Sequence, residues 1–134
     1  LLMFDTREFW YKTYSKTVEN AESMDREELI ENALVVYLQS EQDDEVRQNE
    51  VLRKAVDNIA WLARKNGRSR VVLHSFAHLS DSKSSTEFAK ATIELIKEKL
   101  VSKGFAASST PFGYFLEFRI HVRGESLAKV WKAI

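Results

Sequence analysis

Two unbroken apolar runs constrain this chain more than any other feature. ALVVYL (residues 33–38) and the RVVLH run (residues 70–74) show no polar alternation, the pattern of strands covered on both faces. Between them Leu52, Ala55, Val56, Ile59, Leu62 and Ala63 recur at three- and four-residue spacing. Asn66-Gly67 then supplies a stop signal, so an amphipathic helix separates the two buried strands. A second helix opens at the SKSSTE cap, with Glu87 in its first turn, and runs to Gly104. Its buried stripe is expected to be Phe88, Ala91, Ile96 and Leu100, flanked by Ile93 and Leu95.

The remaining segments read as strands and turns. LLMFD and EFWYKTY suggest two aromatic-rich strands around a tight turn, followed by a polar loop through KTVENAESMDREE. EQDDE is a turn entering the first helix, and FAASSTPFG a short strand and a turn. YFLEFRIHV alternates cleanly, with Leu116, Phe118, Ile120 and Val122 on one face and Glu117, Arg119 and His121 on the other. After Gly124, ESLAKVWKAI predicts a last helix that buries Leu127, Val130, Trp131 and Ile134. The order β-β-β-α-β-α-β-β-α describes a single layered α/β domain with a mixed sheet. At 134 residues the chain is the size of one domain.

The sequence excludes several kinds of chemistry. It contains no cysteine, hence no disulfide framework or thiolate metal site. It has no apolar run of membrane-spanning length and no signal-like leader, so a cytoplasmic location and no membrane partner are expected. G-x-S-x-G, G-x-G-x-x-G and phosphate-loop motifs are missing, and the carboxylates of EQDDE lack calcium-loop spacing. No metal or cofactor is therefore expected. His121 belongs to the polar face of its strand and His74 ends a buried one, which leaves His78, in a strand-to-helix loop, as the candidate base.

Charge is unevenly spread although the net charge is zero. Residues 17–50 hold 11 acidic and 2 basic side chains, and residues 51–134 hold 15 basic and 7 acidic. A basic face could meet a polyanion. ARKNGRSR (Arg64, Lys65, Arg68, Arg70) and FRIHVRG (Arg119, Arg123) are the basic segments, and Phe112 and Tyr114 could stack on an unpaired base. The helix start at Ser84 and Ser85 could also hold a phosphate.

VVLHSFAHLS resembles the strand and loop with an F-A-H-L-S core in the N-terminal editing domain of archaeal threonyl-tRNA synthetases. TPFGYFLEFRIHVRGESLAKVWK resembles the P-F-G-Y strand, glycine turn and following helix of that domain, and the opening hairpin and ALVVYLQSE match in order and with similar spacing. The resemblance implies a D-aminoacyl-tRNA deacylase-like fold: a mixed, barrel-like sheet with two long helices and a C-terminal helix. It implies a homodimer that hydrolyses serine wrongly attached to threonine tRNA, with the 2′-hydroxyl of the terminal adenosine assisting the water. Serine is the smaller molecule, which a pocket for threonine cannot strongly reject, hence a second sieve.

Carried onto this chain, the resemblance places Ser40, Phe76, Ala77, His78, Phe112, Gly113 and Tyr114 around the aminoacyl end, with Ser40 and Ala77 acting through their backbones. The family's strand lysine is Leu116 here. Lys129, where the family has a glutamate, is the expected source of the displaced ammonium, and Lys12 the second candidate. The partner is the 3′ aminoacyl end of threonine tRNA. The chain starts without Met and ends at KVWKAI, so residues 1–134 are expected to be an editing domain cut from a longer protein. Two other readings stay open: a D-aminoacyl-tRNA deacylase, and a non-catalytic module that binds RNA or another partner.

Overall fold

A computed structural model describes residues 1–134. Six strands form one sheet: β1 (Leu2–Lys16), β2 (Glu27–Leu38), β3 (Arg70–Ser75), β4 (Ala106–Ser109), β5 (Tyr114–Val122) and β6 (Lys129–Trp131). Two long helices, α1 (Gln48–Lys65) and α2 (Thr86–Ser102), connect β2 to β3 and β3 to β4. The strand order is β4-β3-β2-β1-β5, with β6 also on β1. The three strands around the crossovers, β2, β3 and β4, are parallel, and the others join antiparallel.

The two sheet faces have different tenants. Leu34, Val36, Leu38, Val71 and Leu73 pack on one face against α1 and α2. All six residues expected to form the α1 stripe are buried. On α2 the buried residues are Thr92, Ile93, Ile96 and Leu100; Ala91 faces solvent and Phe88 is half-buried. The stripe is therefore turned from the expected one, towards Ile93. Ser85 caps the helix, its Oγ accepting from the Phe88 N–H at 3.1 Å.

The other face is aromatic and has no helix over it. Phe9, Tyr11, Ile30, Ala33, Val35, Tyr37 and Val72 are buried there. The sheet covers itself by curling. β3 and β5 lie three strand spacings apart, about 14 Å in a flat sheet, yet the rings of His74 and Phe118 are 5.9 Å apart. Phe118 also meets Tyr37 at 5.9 Å and Phe9 at 6.1 Å.

Two expectations are corrected. The opening is one 15-residue strand, not two strands around a tight turn. Its irregularity lies between Thr6 and Glu8, where the β1–β5 register shifts, and Asn32 on β2 has φ of +51°. There β1 and β2 change inward parity together, from Phe4 to Phe9 and from Ala33 to Ile30, which in the sequence resembles a break between strands. The final helix is absent. A short 3₁₀ turn, Ser126–Ala128, leads into β6, which pairs with Leu2–Phe4. β5 reaches β1 only as far as Thr6, so the edge beyond is free, and a strand pairs there in place of a marginal ten-residue helix. Leu127, Val130 and Ile134 still pack on the core, whereas Trp131 is exposed.

Candidate functional site

The parallel strands β2, β3 and β4 end together, and open α/β sheets bind ligands beyond such carboxyl ends. Here the chain leaves β2 through Gln39 and Ser40, β3 through Phe76, Ala77 and His78, and β4 through Pro111 and Phe112. Together with the start of β5 they enclose a cavity of about 420 Å³. Its lining includes Ser40, Phe76, Ala77, His78, Phe112, Gly113, Tyr114 and Leu116, all eight residues that the resemblance placed at the aminoacyl end or at the missing strand lysine. Lys129 and Lys12 are not among them. Lys129 lies on β6 rather than on a helix, opposite Phe4, and its Nζ donates to the Arg123 carbonyl at 2.9 Å. Lys12 lies exposed on β1, opposite Glu27 and Glu117.

The loop of residues 76–85 is held by one amide. The Gln39 Nε2 donates to the carbonyls of Ser80 (2.8 Å) and Ser82 (2.7 Å). Its Oε1 accepts from the N–H groups of Leu79 (2.7 Å) and Ser80 (3.0 Å). Ser84 N–H to the Ser40 carbonyl (2.9 Å) and Ser80 Oγ to Glu41 Oε1 (2.7 Å) continue the seam. By contrast, the backbone N–H groups of Ser40, Ala77 and His78 donate to no other backbone group. With no backbone partner, these N–H groups beside the cavity are open to solvent or to a ligand's oxygen.

The opposite wall depends on Gly113. Its φ is +82°, and a Cβ there would stand 3.0 Å from the Ala21 Cβ. Its carbonyl accepts from the Thr17 N–H at 2.7 Å. The Tyr114 hydroxyl is engaged with the same segment, accepting from Met24 N–H (2.9 Å) and donating to the Glu22 carbonyl (2.6 Å). It shapes the wall rather than offering a free phenol.

The structure adds residues that sequence reasoning passed over. His74, seen only as a strand end, lines the cavity and is buried among Tyr37, Phe76 and Phe118. Burial lowers its pKa from 6.5 to about 4, so the ring is neutral at pH 7 and bonded through Nδ1 to Thr110 Oγ1 at 2.9 Å. The exposed His78 ring stacks edge-on against Phe76, with centroids 5.2 Å apart. Gln39 and Lys83 carried no sequence signal, because nothing local marks an amide that reaches across strands.

The basic segments lie elsewhere, towards the amino ends of the parallel strands. Arg68 donates to Asp5 (2.7 Å), Arg70 to the Glu31 carbonyl (2.9 Å), and Arg123 to Asn32. Arg64 covers the Phe105 ring and Arg119 the Trp10 ring. The α2 start is already occupied: Glu45 accepts from both the N–H and the Oγ of Ser85, each at 3.3 Å.

The profile of the archaea-specific editing domain of threonyl-tRNA synthetase matches residues 1–134. A threonine–tRNA ligase from Thermofilum pendens is 33% identical over 99% of this chain, and one from Hyperthermus butylicus 34% identical over 97%. Another, from Thermococcus gammatolerans, is 31% identical over 92%. The chain spans only 22%, 22% and 20% of those proteins. Among solved structures, the c-Myc DNA unwinding element binding protein superposes with a TM-score of 0.64 at 10% identity, covering 99% of this chain and 97% of that one. The expected D-aminoacyl-tRNA deacylase-like fold, a mixed curled sheet with two long helices, is the fold observed.

Proposed function

The chain belongs to the archaea-specific editing-domain family of threonyl-tRNA synthetase, and from that premise we propose that its cavity hydrolyses the ester of L-serine wrongly attached to threonine tRNA. The observation that carries this reading is the cavity's chemistry: backbone donors at Ser40, Ala77 and His78, and no carboxylate in the lining. Its volume, about 420 Å³, falls within the range of small-molecule sites.

In this reading the water oxygen bonds to the ester carbonyl carbon, and the oxyanion that forms is stabilised by the loop N–H groups. The bond from that carbon to the ribose oxygen then breaks, that oxygen takes up the proton given up by the attacking water, and serine leaves. The adjacent 2′-hydroxyl of the terminal adenosine orients the water. What supports this role for the RNA is the absence of a paired base in the lining: His74 is a weak base held against Thr110, and His78 stands on an exposed turn. His78 then braces the loop through Phe76.

The proposal extends to the setting. Residues 1–134 act as one editing domain of a longer chain, in the cytoplasm. They act as a homodimer, for which the uncovered edge of β5, with exposed Phe115, is available. Sedimentation would report the dimer.

The test is hydrolysis of Ser-tRNA and Thr-tRNA made on the same threonine tRNA. One methyl group is worth about 10- to 200-fold, so the serine ester should be cleaved at least about ten-fold faster. Equal rates would remove the serine preference. Cleavage confined to D-aminoacyl-tRNA would favour the chirality-based deacylase, and binding without any cleavage would favour the non-catalytic module.

A further inference from the structure

We infer that Lys83 is the site's phosphate-binding group, contacting the phosphodiester that joins the terminal adenosine to the rest of the RNA. This rests on the reading that the cavity takes an aminoacyl-tRNA end. Among the 21 lining residues Lys83 is the sole Lys, Arg, Asp or Glu. Its Nζ makes no hydrogen bond or ion pair within the chain, although Asp81, Glu87, Glu41 and Glu45 occur on the neighbouring segments. The arginines of the far end are engaged with Asp5, Asn32, the Glu31 carbonyl and aromatic rings, and Lys65 there is exposed on α1, away from the cavity.

Its position is fixed even though its ammonium is free. Gln39 holds the carbonyl of Ser82, and Ser40 holds the N–H of Ser84, so the backbone on both sides of Lys83 is tied to the end of β2. A lysine held at a cavity rim, with its stem free to move, can meet a ligand's charge without ordering the loop anew. The chemistry of the substrate decides which charge that is. The aminoacyl group carries an α-amino group, which an ammonium would repel, whereas the anions of the tRNA end are its phosphodiesters. Lys83 therefore marks the rim over which the RNA backbone enters, on the side of the 76–85 loop.

The experiment compares the wild type with Lys83→Ala and Lys83→Arg on Ser-tRNA and on seryl-adenosine, which lacks phosphate. With Ser-tRNA, Lys83→Ala should raise KM about five-fold at low salt with kcat unchanged. The slope of log affinity against log salt should fall by about 0.7, the share of one phosphate on a single strand. Lys83→Arg should restore both. With seryl-adenosine, Lys83→Ala and wild type should be equal. An unchanged KM and salt slope on Ser-tRNA would overturn the assignment, as would an equal loss on both substrates, which would put Lys83 at the ester. If the wild type cleaves neither substrate, the hydrolase reading fails. Binding of an uncharged oligonucleotide ending in CCA then still tests Lys83 through the same affinity and slope.

Discussion

The two ends of the parallel strands both carry polar networks that join distant segments, and they are built on opposite principles. At the amino ends the network is ionic and turned inward, two guanidinium groups on one buried carboxylate. Asp5 is 3% exposed and is met by Arg68 at 2.7 Å and Arg123 at 3.8 Å; Arg123 also donates to Asn32, while its buried Nε has no hydrogen-bond partner. At the carboxyl ends the network centres on an uncharged group and is open: one amide, Gln39, satisfies four backbone groups, Glu41 and Glu45 accept from Ser80 and Ser85 at its margin, and the nearby N–H groups and Lys83 stay free. A cluster of arginines in the sequence is thus a fastening, while a single lysine without basic neighbours faces the cavity.

The contrast can be broken most severely at the ionic end. Asp5→Ala leaves two largely buried guanidinium groups without their carboxylate, which should cost about 3–5 kcal/mol in urea unfolding. The protein that remains folded should hydrolyse Ser-tRNA at the normal rate. A loss below about 1 kcal/mol would mean that the cluster does not hold this end together.

The next effect is at the cavity and appears in acid. The folded pKa of His74 is lowered to about 4 from 6.5 by burial, so the unfolded chain takes up the proton first. Stability should be complete above about 6.5 and fall as pH drops towards about 4, by on the order of 3 kcal/mol. His74→Gln should lack that acid limb. An unchanged pH profile in the variant would assign the loss to other groups.

A smaller stability effect with a larger functional one is expected at the open end. Gln39→Ala should cost about 1–2 kcal/mol, because the freed loop groups can reach water. It should lower kcat by at least about ten-fold through misplacement of Ala77 and His78. Smallest of all, Lys65→Ala, at the far end, should leave KM for Ser-tRNA within about two-fold, unlike Lys83→Ala; a larger rise would place RNA on that end as well.

How much the sequence could reveal follows the same division. The buried strands β2 and β3 and the helix α1 were readable because apolar periodicity is local: each stripe residue of α1 that the spacing predicts is buried. The lining of the cavity was readable through its motifs, since F-A-H-L-S and P-F-G-Y lie at strand ends that converge. Four features were not. The kink at Arg7 and Asn32 changes the inward face within a continuing strand, which period-two reading takes for a turn. β6 is decided by the edge that β5 leaves vacant, a tertiary fact, while its apolar spacing also suits a helix. Finally, Lys129 was chosen only because the resembled family has a glutamate at its position, and it lies on β6 outside the lining, while Lys83, in a polar loop, has a sequence context like that of any solvated lysine.

In the proposed hydrolysis the cavity supplies backbone donors and the RNA supplies part of the chemistry. The most direct measurement is single-turnover hydrolysis of Ser-tRNA whose terminal adenosine carries a 2′-hydroxyl, against the same ester on a terminal 2′-deoxyadenosine. The intact substrate should be cleaved, and the deoxy substrate at least about a hundred-fold more slowly. Equal rates on the two substrates would contradict this and return the role of base to a side chain of the cavity, with His78 the first to be replaced.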